Sequence, residues 1–372
     1  SLMIEKETPY KDQRIKIALI GCGRISKKHI QAIESNIHRI ELIALCDNNQ
    51  SNLDEASEIV SKFDISKVRN DVNPIKYLSF SDLINDFKKN LIKLDLVIIT
   101  TPSGLHPSQA IAAAEQGINV CTEKPMATKW EDALKMVQKC KENKVSLFVV
   151  KQNRFNKTLQ LLRDQILKGR FGRLAIVTVN VFWHRPQEYY DQDQWRGTWE
   201  LDGGALMNQA SHYIDLLHWL IGPVENLNAS ISTIGRSIEV EDTAVLKIKW
   251  KNGCLGNMAV TMLTYPKNLE GSITILGEKG TAKIGGPAVN KIEYWMFEEK
   301  NDDDDKVDST SYETTNVYGF GHDPYYKNML DCLQGKADPI CDGEEGLKSL
   351  ELIIAAYRSA KSGSTIKLPL KG

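Results

Sequence analysis

Apolar and polar positions follow two different rhythms along this chain. Up to about residue 150, short unbroken apolar runs recur: Lys16–Ile20 (KIALI), Leu42–Cys46, Asp95–Thr101 (DLVIITT), Asn119–Thr122 and Val145–Val150. Such runs, bounded by turn residues, are the mark of strands buried on both faces. Between them the apolar residues recur with helical spacing. Ile30, Ile33 and Ile37 share one face of a helix beginning near Ser26, and further helices are expected at Asn52–Phe63, from Ser81, and at His106–Gln116. The capping box Thr128-x-x-Glu131 opens another over Lys129–Lys144. This alternation predicts a doubly wound parallel α/β sheet of Rossmann type over residues 1–150.

From Leu174 the rhythm changes. Ala175–Phe182, Ala229–Ile234, Ala244–Trp250, Gly256–Leu263 and Ser272–Leu276 alternate in the two-residue period of half-buried strands. Lys251-Asn252-Gly253 and Gly277-Glu278-Lys279-Gly280 suit hairpin turns. Residues 151–372 are therefore expected to form an α+β domain with an open, mostly antiparallel sheet, covered by helices on one face. The free face would serve a homodimer or homotetramer. The tail Glu344–Lys361 reads as a helix and Thr365–Leu370 as a last strand.

Two places carry candidate chemistry in the first half. The first strand runs into Gly21-Cys22-Gly23-Arg24-Ile25-Ser26, and the second ends in Asp47. Strand, glycine turn, helix, strand and acid form the context of a dinucleotide site, with a pyrophosphate at the helix N-terminus. Ser26 stands where the third glycine of G-x-G-x-x-G is usual. Asp47 would accept the ribose hydroxyls and repel a 2′-phosphate, and Asn48 with no arginine beside it agrees, so NAD is expected over NADP. The second place is Glu123-Lys124-Pro125, at the end of a buried strand, where the lysine ammonium would project beside the cofactor. Thr101 and Pro102 end the neighbouring strand in the same way.

In the second half the informative stretch is Trp195–Trp219. With Ala205–Ile221 taken as a helix, Asn208, His212, Asp215 and Trp219 fall in one strip, while Leu206, Ala210, Tyr213, Leu217 and Leu220 lie opposite. Gly203 and Gly204 remove bulk where something can approach the backbone. Arginines and aromatics (Arg154, Trp183, Arg185, Trp195, Arg196, Trp199) cluster between the two halves and suit a carboxylate, a phosphate or a sugar ring. The run Asp302–Asp305 reads as a solvated hairpin tip, because no calcium loop completes it.

Composition adds exclusions. A net charge of −1 over 372 residues points to no nucleic acid or anionic membrane partner. No apolar run approaches membrane length, and no signal segment opens the chain. The seven cysteines are scattered with no CxxC pair, which predicts reduced thiols in a cytoplasm and no zinc site.

Taken together, GCGRIS, the EKP of Glu123–Pro125 and GGALMNQASHYIDLLHWL resemble the Gfo/Idh/MocA oxidoreductases over the whole chain. Most members carry an aspartate where Asn208 stands. Asparagine there, the WRGTWELDGGALMNQ run, NRFN at Asn153–Asn156 and the late YGFGH look most like the branch that oxidises C3 of UDP-N-acetylglucosaminuronate for bacterial surface polysaccharide. Asp202 replaces one glycine of the commoner triple, and Ala210 stands where glycine is frequent. The resemblance implies Lys124, Asn208 and His212 as catalytic residues. It implies cofactor contacts from Gly21, Gly23, Arg24, Ile25, Asp47, Asn48, Thr101, Pro102, His106, Glu123, Lys124, Gln152, Trp195 and Arg196. Substrate contacts would come from Lys124, Arg154, Arg185, Asn208, His212, Tyr318 and His322, with no metal. NAD would take a hydride from a sugar carbinol carbon while the hydroxyl proton passes to Lys124 or His212, the division between them left open. Asp215, one turn on, would orient the imidazole. Two other readings stand beside this one: a free-sugar or inositol dehydrogenase, and a non-catalytic NAD- or sugar-binding regulator. A 2-oxo acid that recycles bound NADH is a further expected partner, as in some relatives.

Overall fold

The computed structural model describes residues 10–64, 66, 72–314 and 321–371. The chain divides into two compact units. The first holds residues 1–127, 131–151 and 322–346, so it takes in a late segment as well as the first 150 residues.

That unit is built on six strands, β1 (Ile15–Ile20), β2 (Ile40–Cys46), β3 (Ile75–Tyr77), β4 (Leu96–Ile99), β5 (Asn119–Thr122) and β6 (Leu147–Val149). All pair in parallel in the order β3-β2-β1-β4-β5-β6. The order reverses between β1 and β4, the switch point where ligands sit in such sheets. Ile17, Leu19, Leu45, Val97, Ile98 and Val120 are fully buried between helices on both faces, which is why these strands read as continuous apolar runs. Cys22, Cys46 and Cys121 are buried free thiols, and burial pushes all three up in pKa, so they act as small core residues. The late helix His322–Leu333 packs on the helix Ser26–Ser35.

The second unit carries β7 (Leu174–Phe182), β8 (Val224–Ser232), β9 (Thr243–Trp250), β10 (Leu255–Thr261), β11 (Glu270–Gly277), β12 (Gly280–Gly285), β13 (Lys291–Phe297) and β14 (Ile366–Lys367). They form one sheet in the order β13-β12-β11-β7-β10-β9-β8-β14. Every pair is antiparallel except β10 with β7. The strands β12 and β13 have no counterpart in the sequence reading; the second mixes lysine, glutamate and aromatics and alternates weakly. In β9 Ala244, Leu246, Ile248 and Trp250 are buried and Val245, Lys247 and Lys249 exposed, the alternation of a sheet covered on one side. The helix Ser211–Ile221 lies on the covered face, where its Leu217 carbonyl accepts the Trp250 indole N–H at 3.1 Å. On the other face Ile176, Val245, Leu255, Leu276 and Met296 are exposed.

Two expectations change. The helix begins at Ser211, not Ala205, because residues 205–210 form successive turns. It is also buried nearly all round, the polar strip with His212 and Asp215 included. The acidic run is likewise no solvated tip. Asn301 opens a short 3-10 helix over Asp302–Lys306 through a reciprocal cap with Asp304. Asp303 pairs with Lys168 and Lys306, and Asp304 with Arg170.

Candidate active site

In the first unit, β1 hands the chain to a turn shaped by its glycines. Gly21 has φ +96, and a Cβ there would meet the Thr100–Thr101 backbone at 2.7 Å, so only glycine fits. Gly23 has nothing within 4 Å of where its Cβ would stand, so a ligand's approach is unobstructed. The helix Ser26–Ser35 follows with no side chain capping its first turn at Ile25. Its first N–H groups suit an anion. Asp47, at the end of β2, accepts the Cys22 N–H at 2.7 Å and the Asn49 N–H at 2.8 Å. The glycine turn and its acid thus form one bonded unit, and the residues present fit a dinucleotide. Arg24 and Asn48 are exposed beside it, Ile25 half-buried.

The loops after β4 and β5 are tied together by His106. Its ring nitrogens meet the Thr101 carbonyl at 2.7 Å and the Pro125 carbonyl at 3.0 Å. The imidazole is buried, and burial lowers its pKa against the pull of those carbonyls. His106 therefore ties the Thr101-Pro102 loop to the Lys124-Pro125 loop.

Glu123 is clamped more tightly. Its Oε1 meets His29 Nε2 at 2.6 Å and His322 Nε2 at 3.0 Å, and its Oε2 accepts the Lys124 N–H at 3.1 Å. Tyr326 hydroxyl holds the other nitrogen of His29 at 2.7 Å. Burial opposes ionisation of Glu123, but the two histidines outweigh it and keep the carboxyl well below the usual range. These three residues are a group of metal-ligating type among the described residues. Both histidines lie at hydrogen-bond distance from the one Glu123 oxygen. His322 is thus buried against Glu123 within the first unit, where the sequence reading has it meeting substrate. Tyr318 lies outside the described residues. Lys124 is half-buried, its backbone fixed by this clamp.

In the second unit the residues of the Trp195–Trp219 stretch are held from several sides. His212 is buried, and its Nε2 lies 2.7 Å from Gln152 Nε2. Asp215 is held by groups from outside its own helix. Its Oδ2 accepts Arg154 Nε at 3.0 Å, and its Oδ1 accepts Arg154 Nη2 at 2.8 Å and Ser349 Oγ at 2.5 Å. Arg154 and Asp215, 2% and 3% exposed, form a buried ion pair, with the guanidinium 5.7 Å from the Trp219 ring centroid. The reason is register: Asp215 projects into the core beside the short turn Gln152–Phe155, where a carboxylate needs a cation.

The other arginines differ. Arg185 and Arg196 both lie over Tyr189, at 5.5 and 4.7 Å, and Arg196 also over Trp195 at 4.6 Å. Two guanidiniums on one ring, with Asp193 paired to Arg196 at 2.9 Å, make a half-buried cationic surface that suits an anion.

Two carboxylates missed by the sequence reading support this region. Asp202 accepts Asn208 Nδ2 at 2.5 Å. Glu241 accepts the Leu206 N–H at 2.9 Å and the Tyr357 hydroxyl at 2.6 Å. A side chain on Gly204 would overlap the Glu241 carboxylate, and one on Gly203 the Met207 side chain. The bulk removed at this glycine pair therefore makes room for protein, not for a ligand. The Gly203-Gly204 pair was the one available signal of such a buried neighbour.

Burial pushes Glu241 up to about 7 from its ordinary 4.5, with the Tyr357 and Leu206 bonds offsetting only part of that. A carboxyl raised on folding contributes its stability below its unfolded value and loses it as pH rises through the folded one. Between about pH 5 and 8 the wild type is expected to lose stability relative to Glu241→Gln, by roughly 3 kcal/mol at most. Urea unfolding of both proteins across that range measures it, and a difference independent of pH would contradict it.

Comparison with known proteins agrees with this geometry. Residues 15–151 match the oxidoreductase family's NAD-binding Rossmann fold, and residues 163–368 its C-terminal alpha/beta domain. The chain is 53% identical to the WlbA dehydrogenase of Bordetella pertussis, solved with NADH and UDP-GlcNAcA, with a TM-score of 0.90 over 97% of this chain and 99% of that one. For the WlbA dehydrogenase of Chromobacterium violaceum, solved with the same two ligands, the figures are 52%, 0.88, 97% and 98%. D-apiose dehydrogenase of Paraburkholderia graminis is 25% identical over 96% of this chain and 90% of its own length. With both family domains matched in order and the glycine turn, acid and EKP segment in place, the chain belongs to the Gfo/Idh/MocA oxidoreductases.

Proposed function

We propose that this protein oxidises a secondary alcohol of a nucleotide-linked uronic acid with NAD⁺, C3 of UDP-N-acetylglucosaminuronate being the substrate position. The observation that carries the reading is the anchored Asn208–His212 pair, in a chain more than half identical from end to end to dehydrogenases that hold NADH and that sugar nucleotide. NAD⁺, when bound, supplies the hydride acceptor. The glycine turn and Asp47 would hold its pyrophosphate and ribose. Asp47 is an acceptor for hydroxyls and repels a phosphate, which favours NAD over NADP.

The carbinol carbon gives up hydride, its hydroxyl gives up a proton, and a ketone is left. His212 suits the proton acceptor, since imidazole titrates near neutral pH. Gln152, 2.7 Å from Nε2, holds the plane of the imidazole, and the tautomer of the ring is set together with the orientation of that amide. Lys124 donates to the hydroxyl oxygen as negative charge develops there. Arg185 and Arg196 suit the uronate or the pyrophosphate. A homo-oligomer built on the exposed sheet face and a cytoplasmic setting belong to the same reading. Among the described residues no helix is long and apolar enough to cross a membrane.

The test is direct. Absorbance of NADH is expected to appear when UDP-N-acetylglucosaminuronate is added to protein and NAD⁺, and to fall again with a 2-oxo acid if the nucleotide is recycled in place. Turnover of free sugars or inositol in preference to the nucleotide sugar would replace this substrate. Binding of the nucleotide sugar with no turnover would point to a regulator.

A further inference from the structure

The Glu123 carboxylate takes three donors on its two oxygens. His29 Nε2 and His322 Nε2 share Oε1, at 2.6 and 3.0 Å, and the Lys124 N–H goes to Oε2 at 3.1 Å. A carboxylate only accepts, so both imidazoles carry their hydrogen on Nε2. The Tyr326 hydroxyl, 2.7 Å from His29 Nδ1, is then the donor to that nitrogen. His29, Glu123 and His322 are all buried, so water does not compete for these bonds. Bonds on both oxygens hold the carboxylate, and Oε2 is left against the one peptide group that begins Lys124. Pro125 restricts the same residue from its other side, and His106 holds the Pro125 carbonyl at 3.0 Å. The clamp also accounts for the late segment 322–346 that joins the first unit. His322 opens the helix His322–Leu333, which is laced to Ser26–Ser35 and the residues just after it. Beside the Tyr326–His29 bond, Asn36 Nδ2 donates to Asp323 at 2.8 Å, and Arg39 donates to Asp331 at 2.7 Å and Gln334 at 2.8 Å. The returning chain thus brings a second imidazole to the one carboxylate beside Lys124.

We propose that His29 and His322 are positioning residues of the reaction: by clamping one oxygen of Glu123 they hold the other on the Lys124 N–H, and so fix the backbone that carries the reacting lysine. This rests on the dehydrogenase reading, in which Lys124 donates to the hydroxyl oxygen. The role needs no contact of either imidazole with substrate or cofactor. It acts through the place of the Lys124 main chain, and a displacement of about 1 Å in a reacting group can cost about 10²-fold in rate.

Two amides at position 322 test this. A glutamine places its nitrogen where Nε2 stands and still donates to Glu123, whereas an asparagine is one methylene shorter and falls short of it. His322→Asn is expected to lower kcat for the nucleotide sugar at least about ten-fold with KM for NAD⁺ little changed, and His322→Gln to stay within about three-fold of wild type. In a Lys124→Met background, His322→Asn is expected to change the residual kcat by less than about two-fold, because the lysine through which it acts is gone. A merely structural loss would slow both backgrounds alike. The wild type supplies a further measurement, which needs no substrate and stands whether or not His322→Asn folds. Nitrogen NMR spectra of histidine-labelled protein are expected to show His29 and His322 with hydrogen on Nε2 at neutral pH. A bare Nε2 on either histidine overturns the clamp. Wild-type kcat in His322→Asn overturns the role, as does a glutamine variant as slow as the asparagine one, or an equal loss in both backgrounds. A wild type that makes no NADH from the nucleotide sugar removes the dehydrogenase reading and this role with it. A wild type that turns over beside an unimpaired His322→Asn overturns the positioning role alone.

Discussion

Lys124→Met is expected to lower kcat for the nucleotide sugar by about 10²–10⁴-fold while NAD⁺ binding is retained, the range over which a positioned proton donor or acceptor contributes. The separation of the two effects follows from how the residue is held. Its backbone N–H is fixed by the Glu123 carboxylate, which His29 and His322 clamp in turn, and none of those bonds uses the lysine side chain. Methionine is unbranched and of similar length, so the bonds that hold the Lys124 backbone are kept while the ammonium is lost. Turnover is read by NADH absorbance and cofactor binding by fluorescence titration. Unimpaired turnover would take Lys124 out of the chemistry, and loss of both together would mean that it holds the cofactor instead.

The second large effect concerns folding. Asp215→Ala is expected to cost about 3–5 kcal/mol in unfolding free energy, because it removes the carboxylate that accepts two N–H groups of the buried Arg154 guanidinium. Ser349 loses its acceptor at the same time. Adding Arg154→Met should recover much of the loss, since replacing both members of a buried ion pair by apolar groups is far less costly than removing one. Chemical denaturation of the two variants measures this. A cost below about 1 kcal/mol for Asp215→Ala would show that Arg154 finds another partner or reaches water. The pair also seats the helix that carries His212 one turn earlier.

Much of the architecture was legible along the chain because it is written in periodicity. Unbroken apolar runs marked β1, β2, β4 and β5, and two-residue alternation marked β7, β9 and β10. Weaker elements escaped for physical reasons. The strand β13 is a half-exposed edge that mixes charge with aromatics. The turns at 205–210 carry a helix-like pattern, yet they are bent by Gly204 and Glu241. Glu123 shows the limit at the site itself. Its motif is local, but the two histidines that clamp it lie 94 and 199 residues away in sequence.

Local chemistry therefore determined the glycine turn, the acid at the end of β2, the EKP segment and the order of strands and helices, since each depends on neighbours within a few residues. Tertiary structure alone decided which polar side chains are partners. Asp215 went to Arg154 and Ser349, Gln152 to His212, Glu241 to the Leu206 N–H and Tyr357, and Asp202 to Asn208. A buried charge or amide must be satisfied, and the atom that satisfies it is set by how distant elements pack. No spacing along the chain encodes that choice.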